Sequence, residues 1–268
     1  MDIALLVGLG LAAGGVLGGY LIEGGAIGGL INAPGFLIVI VGTFGAVFIS
    51  FPLEQMLGTP KAAMAAIFNK VNVHGRHMAA ELVTMADKAR KEGLLSLEDE
   101  AGKVEDGFAR KALMLMIDGT DPDALRSIME IDIDSLARRH RENAKVFEAA
   151  GGFAPTLGVL GAVMGLISVL SNLGGDTAEL GHGIATAFVA TFYGVGFANV
   201  ICLPIAEKLK YRSAEERVVR EMILEGVLSI QAGDNPRIVK EKLEAFLAPG
   251  QRSSDDSKDG PASQAAAA

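Results

Sequence analysis

Ionisable side chains are missing from four long stretches of this 268-residue sequence. No Asp, Glu, Lys, Arg or His occurs in the apolar runs Ile3–Ile22, Gly35–Phe51, Ala149–Leu170 and Gly183–Ala206. About 20 consecutive apolar residues are enough for a helix to cross the hydrocarbon core of a bilayer. We therefore predict four membrane-spanning helices surrounded by lipid, numbered here as spans one to four in chain order.

Other residue types that mark particular functions are also scarce. Cys202 is the only cysteine, which excludes an intramolecular disulfide. His74 and His77 are close in sequence, but no Cys or third ligand stands at metal-binding spacing, so we expect no metal site. A net charge of −8 argues against a nucleic-acid partner. The sequence has no phosphate-binding glycine motif and no marked nucleophile, so we expect neither a cofactor nor an enzyme.

Basic residues are confined to two parts of the chain. All 24 Lys and Arg residues lie within Lys61–Lys145 and Lys208–Lys258, whereas the predicted loops Glu23–Pro34 and Asn172–His182 contain none. Basic segments that flank membrane spans stay on the cytoplasmic side. The distribution predicts that both basic segments and both chain termini are cytoplasmic, with two short loops outside.

These patterns predict an all-α membrane protein with a helical cytoplasmic domain inserted between spans two and three. The predicted organisation is spans one and two in residues 1–54, the inserted domain in 55–147, spans three and four in 148–206, C-terminal cytoplasmic helices in 207–248 and a disordered tail in 249–268. The tail is rich in Ser, Asp, Gly and Ala and has no residues that would form a core.

Local signals predict where several helices begin and which faces they bury. Asp121–Pro122 and Asn235–Pro236 each combine an N-cap residue with a first-turn proline, so both predict a helix start. The first of these helices is expected to run without a break into span three. Ser213 and Glu216 have the spacing of a capping box and predict a third start. Helical spacing predicts that the inserted domain buries the apolar residues Leu82, Met85, Ala89, Phe108, Ala112 and Leu115.

Span one carries small residues at helical spacing. Gly10, Gly14 and Gly18 are four residues apart and share one face. Small residues spaced in this way let membrane helices pack backbone to backbone. We predict that this glycine face packs against another helix.

Spans three and four carry the residues best suited to an ion path. Each contains a proline, Pro155 or Pro204, and threonine hydroxyls, notably Thr156, Thr186 and Thr191. A proline in a membrane helix frees a backbone carbonyl or permits a hinge; the alternative is a static kink. A threonine hydroxyl lines a polar path or, equally, bonds back to the preceding helical turn. Because ion paths in membranes usually need an ionisable group, we expect a partner to supply the titrating carboxylate.

Four segments of the sequence resemble the A subunit of the bacterial flagellar stator, the MotA/PomA family, a distant relative of ExbB and TolQ. They are the turn Glu23-Gly24-Gly25 and the runs ARKEGLLSLE (89–98), FAPTLGVLGAVMGLISVL (153–170) and LGHGIATAFVATFYGVGFANVICLPIAEKLK (180–210). Their order and spacing match the family to about Leu247. The large segment after span two also fits MotA, because ExbB and TolQ have three spans and carry their large segment after the first.

The resemblance implies an ion-driven motor subunit in the bacterial inner membrane. Five A subunits are expected to surround two copies of a single-span, peptidoglycan-binding MotB-like subunit, whose membrane Asp carries the ion. Pro155 and Pro204 match the family's functional prolines, and Thr156 and Thr191 match its channel threonines.

The resemblance also implies a contact with the rotor and a coupling ion. Arg90 and Glu98 match charges that face a FliG-like rotor switch protein. Sodium-type members carry TTLYG in span four, whereas residues 190–194 of this chain read ATFYG, with one threonine fewer. That difference favours protons over sodium. The alternative functions are an ExbB/TolQ-like energiser of an outer-membrane system and a membrane scaffold that conducts nothing.

Overall fold

Helices make up all the regular structure in residues 3–68, 75–174 and 177–251, the part of the chain that this computed structural model describes. The α-helices are α1 (Ile3–Ile22), α2 (Ala33–Phe36), α3 (Gly42–Ser50), α4 (Leu53–Phe68), α5 (Gly75–Glu92), α6 (Glu98–Ala101), α7 (Gly107–Ile117), α8 (Pro122–Ser171), α9 (Thr177–Gly196), α10 (Leu203–Gln231) and α11 (Pro236–Ala245). Short 3-10 turns occur at Ile27–Leu30, Leu94–Leu97 and Pro249–Gln251, and π-helical stretches occur at Leu37–Val41 and Phe197–Cys202.

The chain divides into two compact units. The first comprises Met1–Lys70 and Arg138–Ser213, and the second comprises Val71–Ala137 and Ala214–Ala268. Helices α8 and α10 each contribute residues to both units. The assignment of residues 55–147 and 207–248 to the cytoplasm stays a prediction.

The first unit contains the four predicted spans. Helices long and apolar enough to cross a membrane are Ile3–Ile22, Ala33–Ser50, Pro122–Ser171 and Leu180–Gln231. Span two begins at Ala33, two residues before the predicted start, because Asn32 caps the helix and Pro34 lies in its first turn. The predicted loop Glu23–Pro34 is therefore partly helical, and it also includes a 3-10 turn.

Span one forms as predicted, but its glycine face has no neighbour among the residues that the structure describes. A Cβ atom added at Gly10, Gly14 or Gly18 would meet nothing within 4 Å. The described part of one chain therefore does not supply the predicted packing partner for this face.

The second unit is held together by a core of large apolar side chains. Helices α5 and α7 bury five of the six residues that helical spacing predicts, with Leu82 and Ala112 fully inaccessible to solvent. Leu115 is only partly buried, because the face that α7 turns to the core is centred on Ala109, Leu113 and Met116. The unit's own parts of α8 and α10 close the core with Leu125, Met129, Ile133, Met222, Ile223 and Val227. Arg220 lies over the Phe108 ring, 4.9 Å from its centroid. This cation–π contact covers one edge of the core.

Two of the three predicted helix starts are confirmed. Helix α8 begins at Pro122, and the Asp121 carboxylate accepts from the backbone N–H of Asp123 at 3.0 Å. Helix α11 begins at Pro236, and Asn235 accepts from the Arg237 N–H at 3.0 Å.

The third predicted start, at Ser213 and Glu216, is wrong. Helix α10 runs unbroken from Leu203 to Gln231. Because the preceding turn already supplies carbonyl acceptors, the N–H groups at this point need no cap. Glu216 instead accepts from Arg220 at 2.8 Å, one turn further along. Of the predicted disordered tail, Pro249–Gln251 form a 3-10 turn, and 252–268 lie outside the described residues, as does His74.

Candidate ion-path site

Helices α8 and α9 touch along a seam of small residues. The seam consists of Gly158, Gly161 and Gly165 on α8 and of Gly183, Ala187, Ala190 and Gly194 on α9. A Cβ atom at Gly194 would lie 2.5 Å from the Ala154 carbonyl oxygen, and one at Gly165 would lie 2.9 Å from the Ala187 nitrogen. These distances leave no room for side chains, so the two backbones are in direct contact.

Thr191 lies beside this seam. It is half-buried, and a Cβ atom at Gly158 would be 3.3 Å from its Cα. Its hydroxyl donates to the Ala187 carbonyl at 3.1 Å. The hydroxyl proton is thereby used, but the oxygen keeps lone pairs that accept from water or bind a cation.

Thr156 points elsewhere. It is exposed, and its hydroxyl donates to the Phe153 carbonyl at 2.7 Å. It precedes the seam residue Gly158 by two positions, a turn of about 200° around the helix. The structure therefore does not bring the Thr156 and Thr191 hydroxyls together within one chain. Both hydroxyls make the bond to the preceding turn that the sequence left as an alternative.

The turns around Pro155 and Pro204 are in contact. Pro155 removes the donor that would satisfy the Gly151 carbonyl in an ideal helix. A Cβ atom at Gly151 would lie 2.7 Å from a Leu203 methyl carbon and 3.6 Å from the Cys202 Cβ, so this turn packs directly on the residues before Pro204. The π-helical stretch Phe197–Cys202 ends just ahead of that proline. Such stretches occur frequently at functional sites.

A polar cluster between spans two and four was not predicted from the sequence. The Asn32 side-chain amide donates to the Thr186 hydroxyl at 2.9 Å, and the Asn32 backbone N–H donates to the Tyr193 hydroxyl at 3.2 Å. The Tyr193 hydroxyl donates in turn to the Leu30 carbonyl. Asn32 and Thr186 are 7% and 8% exposed. We call Leu30, Asn32, Thr186 and Tyr193 the Asn32 lock.

Two sequence signals could have indicated this cluster. The order Asn32, Ala33, Pro34 is that of a helix N-cap followed by a first-turn proline. A tyrosine within an apolar span needs a partner for its hydroxyl when it is buried. Neither signal identifies the partner residue, because Asn32 and Thr186 are 154 positions apart.

Arg90 and Glu98 lie on the second unit, at either end of a tight turn. Gly93 ends α5 with a φ of +87°, a conformation that favours glycine, and Ser96 donates to its carbonyl at 2.7 Å. Leu97 is fully buried and anchors the turn. Arg90 and Glu98 are both exposed, and neither has an ion-pair partner among the described residues.

A neighbouring ion pair supports the same turn. Lys88 donates to Glu100 at 2.8 Å, and this hydrogen bond raises the pKa of the Lys88 ammonium above its ordinary value. No cluster of three or more His, Cys, Asp or Glu side chains able to hold a metal occurs in the described part of the chain.

The fold and the charge-free seam define a multi-pass, all-helical membrane protein. Residues 100–222 match the model of the MotA/TolQ/ExbB proton channel family. The chain is 37% identical to motility protein A of Treponema pallidum, over 94% of this chain and 96% of that protein. The chain belongs to the MotA/TolQ/ExbB proton channel family, on the motility protein A side of it.

Solved structures agree with this assignment. The fold is similar to the MotAB structure of C. jejuni, with a TM-score of 0.89, 30% identity and coverage of 95% of this chain and 100% of that one. It is also similar to the flagellar MotAB stator complex of Bacillus subtilis, with a TM-score of 0.85, 37% identity and coverage of 91% and 95%. The chain is a stator-type ion-channel subunit of the flagellar motor.

Proposed function

We propose that this chain conducts ions jointly with a single-span MotB-like partner and converts that flow into torque on the rotor. The observation that carries the proposal is the seam between α8 and α9, where the Thr191 hydroxyl lies within spans three and four, which contain no Asp, Glu, Lys, Arg or His. Proton transfer through a membrane needs a titrating group. The partner supplies it as a carboxylate, and this chain supplies the polar surface along which the ion passes.

Thr191, Thr156 and the two prolines have different roles in this proposal. Thr191 lines the path next to the seam with its free lone pairs. Thr156, on the other side of α8, faces a neighbouring subunit or the partner. Pro155 and Pro204 weaken the hydrogen-bond ladders of two turns that pack on one another. Motion at one proline is therefore passed to the other.

The proposed assembly is a ring of five copies around two partner subunits in the bacterial inner membrane. The distribution of Lys and Arg supports cytoplasmic termini. The unpacked glycine face of α1 supports contact with further chains. The single threonine of ATFYG favours protons as the coupling ion over sodium.

Arg90 and Glu98 are proposed to steer a FliG-like rotor protein. Single exposed ion pairs contribute only about 0–1 kcal/mol. Charges repeated around a ring instead fix register and orientation. Charge reversal at Arg90 should reduce swimming while leaving the amount of assembled complex unchanged. Lys91→Glu is the matched control, because Lys91 already pairs with Asp87 within α5. Normal swimming with Arg90→Glu would remove this residue from the rotor contact.

The ion path is tested by Thr191→Val in the chain co-expressed with its MotB-like partner. Valine keeps the shape of threonine and removes the hydroxyl, so ion flux and swimming speed should fall while assembly persists. Ser171→Ala is the control, because its hydroxyl makes the same bond to the preceding turn, to Ile167 at 2.9 Å, at the end of α8. Equal flux in the two variants would exclude Thr191 from the path.

A further inference from the structure

The Asn32 lock makes hydrogen bonds to span four at two levels along the helix axis. Thr186 and Tyr193 are seven residues apart, so they share one side of α9 and are separated by about 10 Å along its axis. Both bond to the short segment Leu30–Asn32. Contacts at two heights on one side oppose rotation of α9 about its own axis.

Backbone and ring contacts reinforce these hydrogen bonds. A Cβ atom at Gly35 would lie 3.4 Å from the Ala190 nitrogen, so span two touches the span four backbone midway between the two bonded levels. The Phe36 ring meets the Tyr193 ring edge-on, with centroids 6.4 Å apart. Tyr193 is thus held by both its hydroxyl and its ring.

The lock satisfies every polar side chain that it contains. The Asn32 side chain accepts from the Gly35 N–H at 2.8 Å while its amide donates to Thr186. The Thr186 hydroxyl donates its own hydrogen bond to the His182 carbonyl at 3.0 Å. Removing one member leaves the others unsatisfied in a poorly hydrated site, which is costly. The cluster therefore has one preferred arrangement.

The Asn32 lock fixes the rotation of α9 about its own axis, and this rotation also sets the direction in which the Thr191 side chain points. Thr191 follows Thr186 by five residues, about 140° around the helix. The seam-facing residues of α9 lie between those two directions. Any rotation of α9 that breaks the lock moves the Thr191 hydroxyl relative to α8.

We propose that the Asn32 lock is a positioning device that orients Thr191 toward the ion path. Asn32, Thr186 and Tyr193 act through Thr191 and do not themselves touch the ion. This inference rests on the proposed role of Thr191 in the path.

The test places a cysteine at position 191 and uses the reactivity of its thiol to report which way that side chain points. Thr191→Cys is introduced into the full chain with Cys202→Ala, so that this chain's only thiol lies at position 191, and the chain is expressed with a cysteine-free form of its partner. The labelling rate with N-ethylmaleimide in membranes reports the exposure of that thiol to water. Adding Asn32→Ala or Thr186→Val should change the rate by about threefold or more, the factor that corresponds to one interhelical hydrogen bond in a membrane.

Thr186→Ser is the matched control, because serine keeps the hydroxyl that accepts from Asn32. It should leave the labelling rate unchanged, and in the chain that retains Thr191 it should also leave swimming unchanged. Tyr193→Phe keeps the ring and removes one hydroxyl, so it tests the lock even if Asn32→Ala reduces the amount of protein in the membrane. Unchanged labelling in Asn32→Ala, Thr186→Val and Tyr193→Phe would overturn the inference.

The outcomes separate this inference from the proposed function. If the lock variants change the labelling rate but Thr191→Val conducts normally, the lock orients span four and the path assignment of Thr191 fails. If Thr191→Val blocks conduction but the lock variants label normally, the path assignment holds and the positioning role fails.

Discussion

The two units of this chain differ in the size of the residues at their main helix contacts. In the first unit, α8 and α9 meet at a seam of glycine and alanine, whose small size lets the two backbones touch. The second fills its interior with Leu, Met and Ile, many of them fully buried. In water, burial of apolar surface drives helices together at about 25 cal/mol per Å². Lipid tails are as apolar as leucine, so helices in a bilayer gain from close approach and hydrogen bonds instead.

This contrast predicts which substitutions damage each unit. Added atoms should disrupt the first unit, where backbones touch. Removed atoms should disrupt the second, where side chains fill the space. Of four experiments, described from the largest expected effect to the smallest, the first two test the contrast directly and the last two measure polar contacts within the second unit.

The largest effect is expected from Gly194→Val. A Cβ atom there would lie 2.5 Å from the Ala154 carbonyl oxygen, a backbone atom that cannot move aside. Valine should separate α8 from α9 and abolish both assembly and swimming. Gly196→Val is the control, since a Cβ atom at that position meets nothing within 4 Å. The amount of assembled complex is measured by size-exclusion chromatography in detergent. Equal amounts in the two variants would contradict direct backbone contact between α8 and α9 at Gly194.

Leu113→Ala should produce the largest loss of stability within the second unit. Its side chain is fully buried in α7, so truncation should lower the free energy of unfolding by about 2–5 kcal/mol. Leu95→Ala, at a position that is 74% exposed, should change it by less than about 0.5 kcal/mol. Hydrogen exchange of the α7 amides in the purified full chain measures the change in the free energy of unfolding for both variants. Similar exchange rates in the two variants would show that the core is not close-packed around Leu113.

Asp106→Ala removes the N-cap of α7. The Asp106 carboxylate accepts from the Ala109 N–H at 2.7 Å, and losing such a cap costs about 1 kcal/mol. Amides in the first turn of α7 should exchange faster, while those of α11, capped separately by Asn235, should not. Asp106→Asn keeps an acceptor oxygen and should restore most of the protection. No rescue by asparagine would mean that charge, not capping, stabilises this turn.

The smallest effect is a pH dependence at Asp234. A hydrogen bond from the Lys242 ammonium, 3.0 Å away, lowers the pKa of the Asp234 carboxyl. The folded pKa therefore lies below the unfolded one. The stabilisation is present above the ordinary pKa of Asp, about 4, and is lost as the pH falls through the lower folded value.

Asp234→Asn should remove that contribution. The variant should unfold at a lower temperature than the parent chain at pH 7, and the two midpoints should converge in acid. A constant difference between the midpoints from pH 7 to pH 2 would show that the effect is not electrostatic.

Several features were predictable because they depend on residues close together in sequence. Span one has the predicted bounds because its whole length is apolar. Helix α8 starts at its proline because Asp121 caps the adjacent turn. The faces buried by α5 and α7 follow from the spacing of their apolar residues. In each case, a window of one or a few helical turns contains all the information that is needed.

Other features depend on how one helix is rotated against another. Ser213 and Glu216 have the spacing of a helix start, yet the preceding turn continues through them. Thr156 and Thr191 look equivalent in sequence, but only Thr191 lies beside the seam. Neither outcome can be derived from local spacing, because each depends on a neighbouring turn or helix.

The sequence by itself determined the four spans, the helical class, the family and the starts of α8 and α11, since charge-free runs, caps and periodicity are local properties. Only the tertiary structure decided that Asn32 bonds to Thr186 and Tyr193, that Gly151 packs on the turn of Pro204, and that Thr156 faces away from α9. The hydrogen bonds and packing contacts among these features join residues that are 51 to 161 positions apart. They follow from which face each helix presents when small residues let two backbones touch.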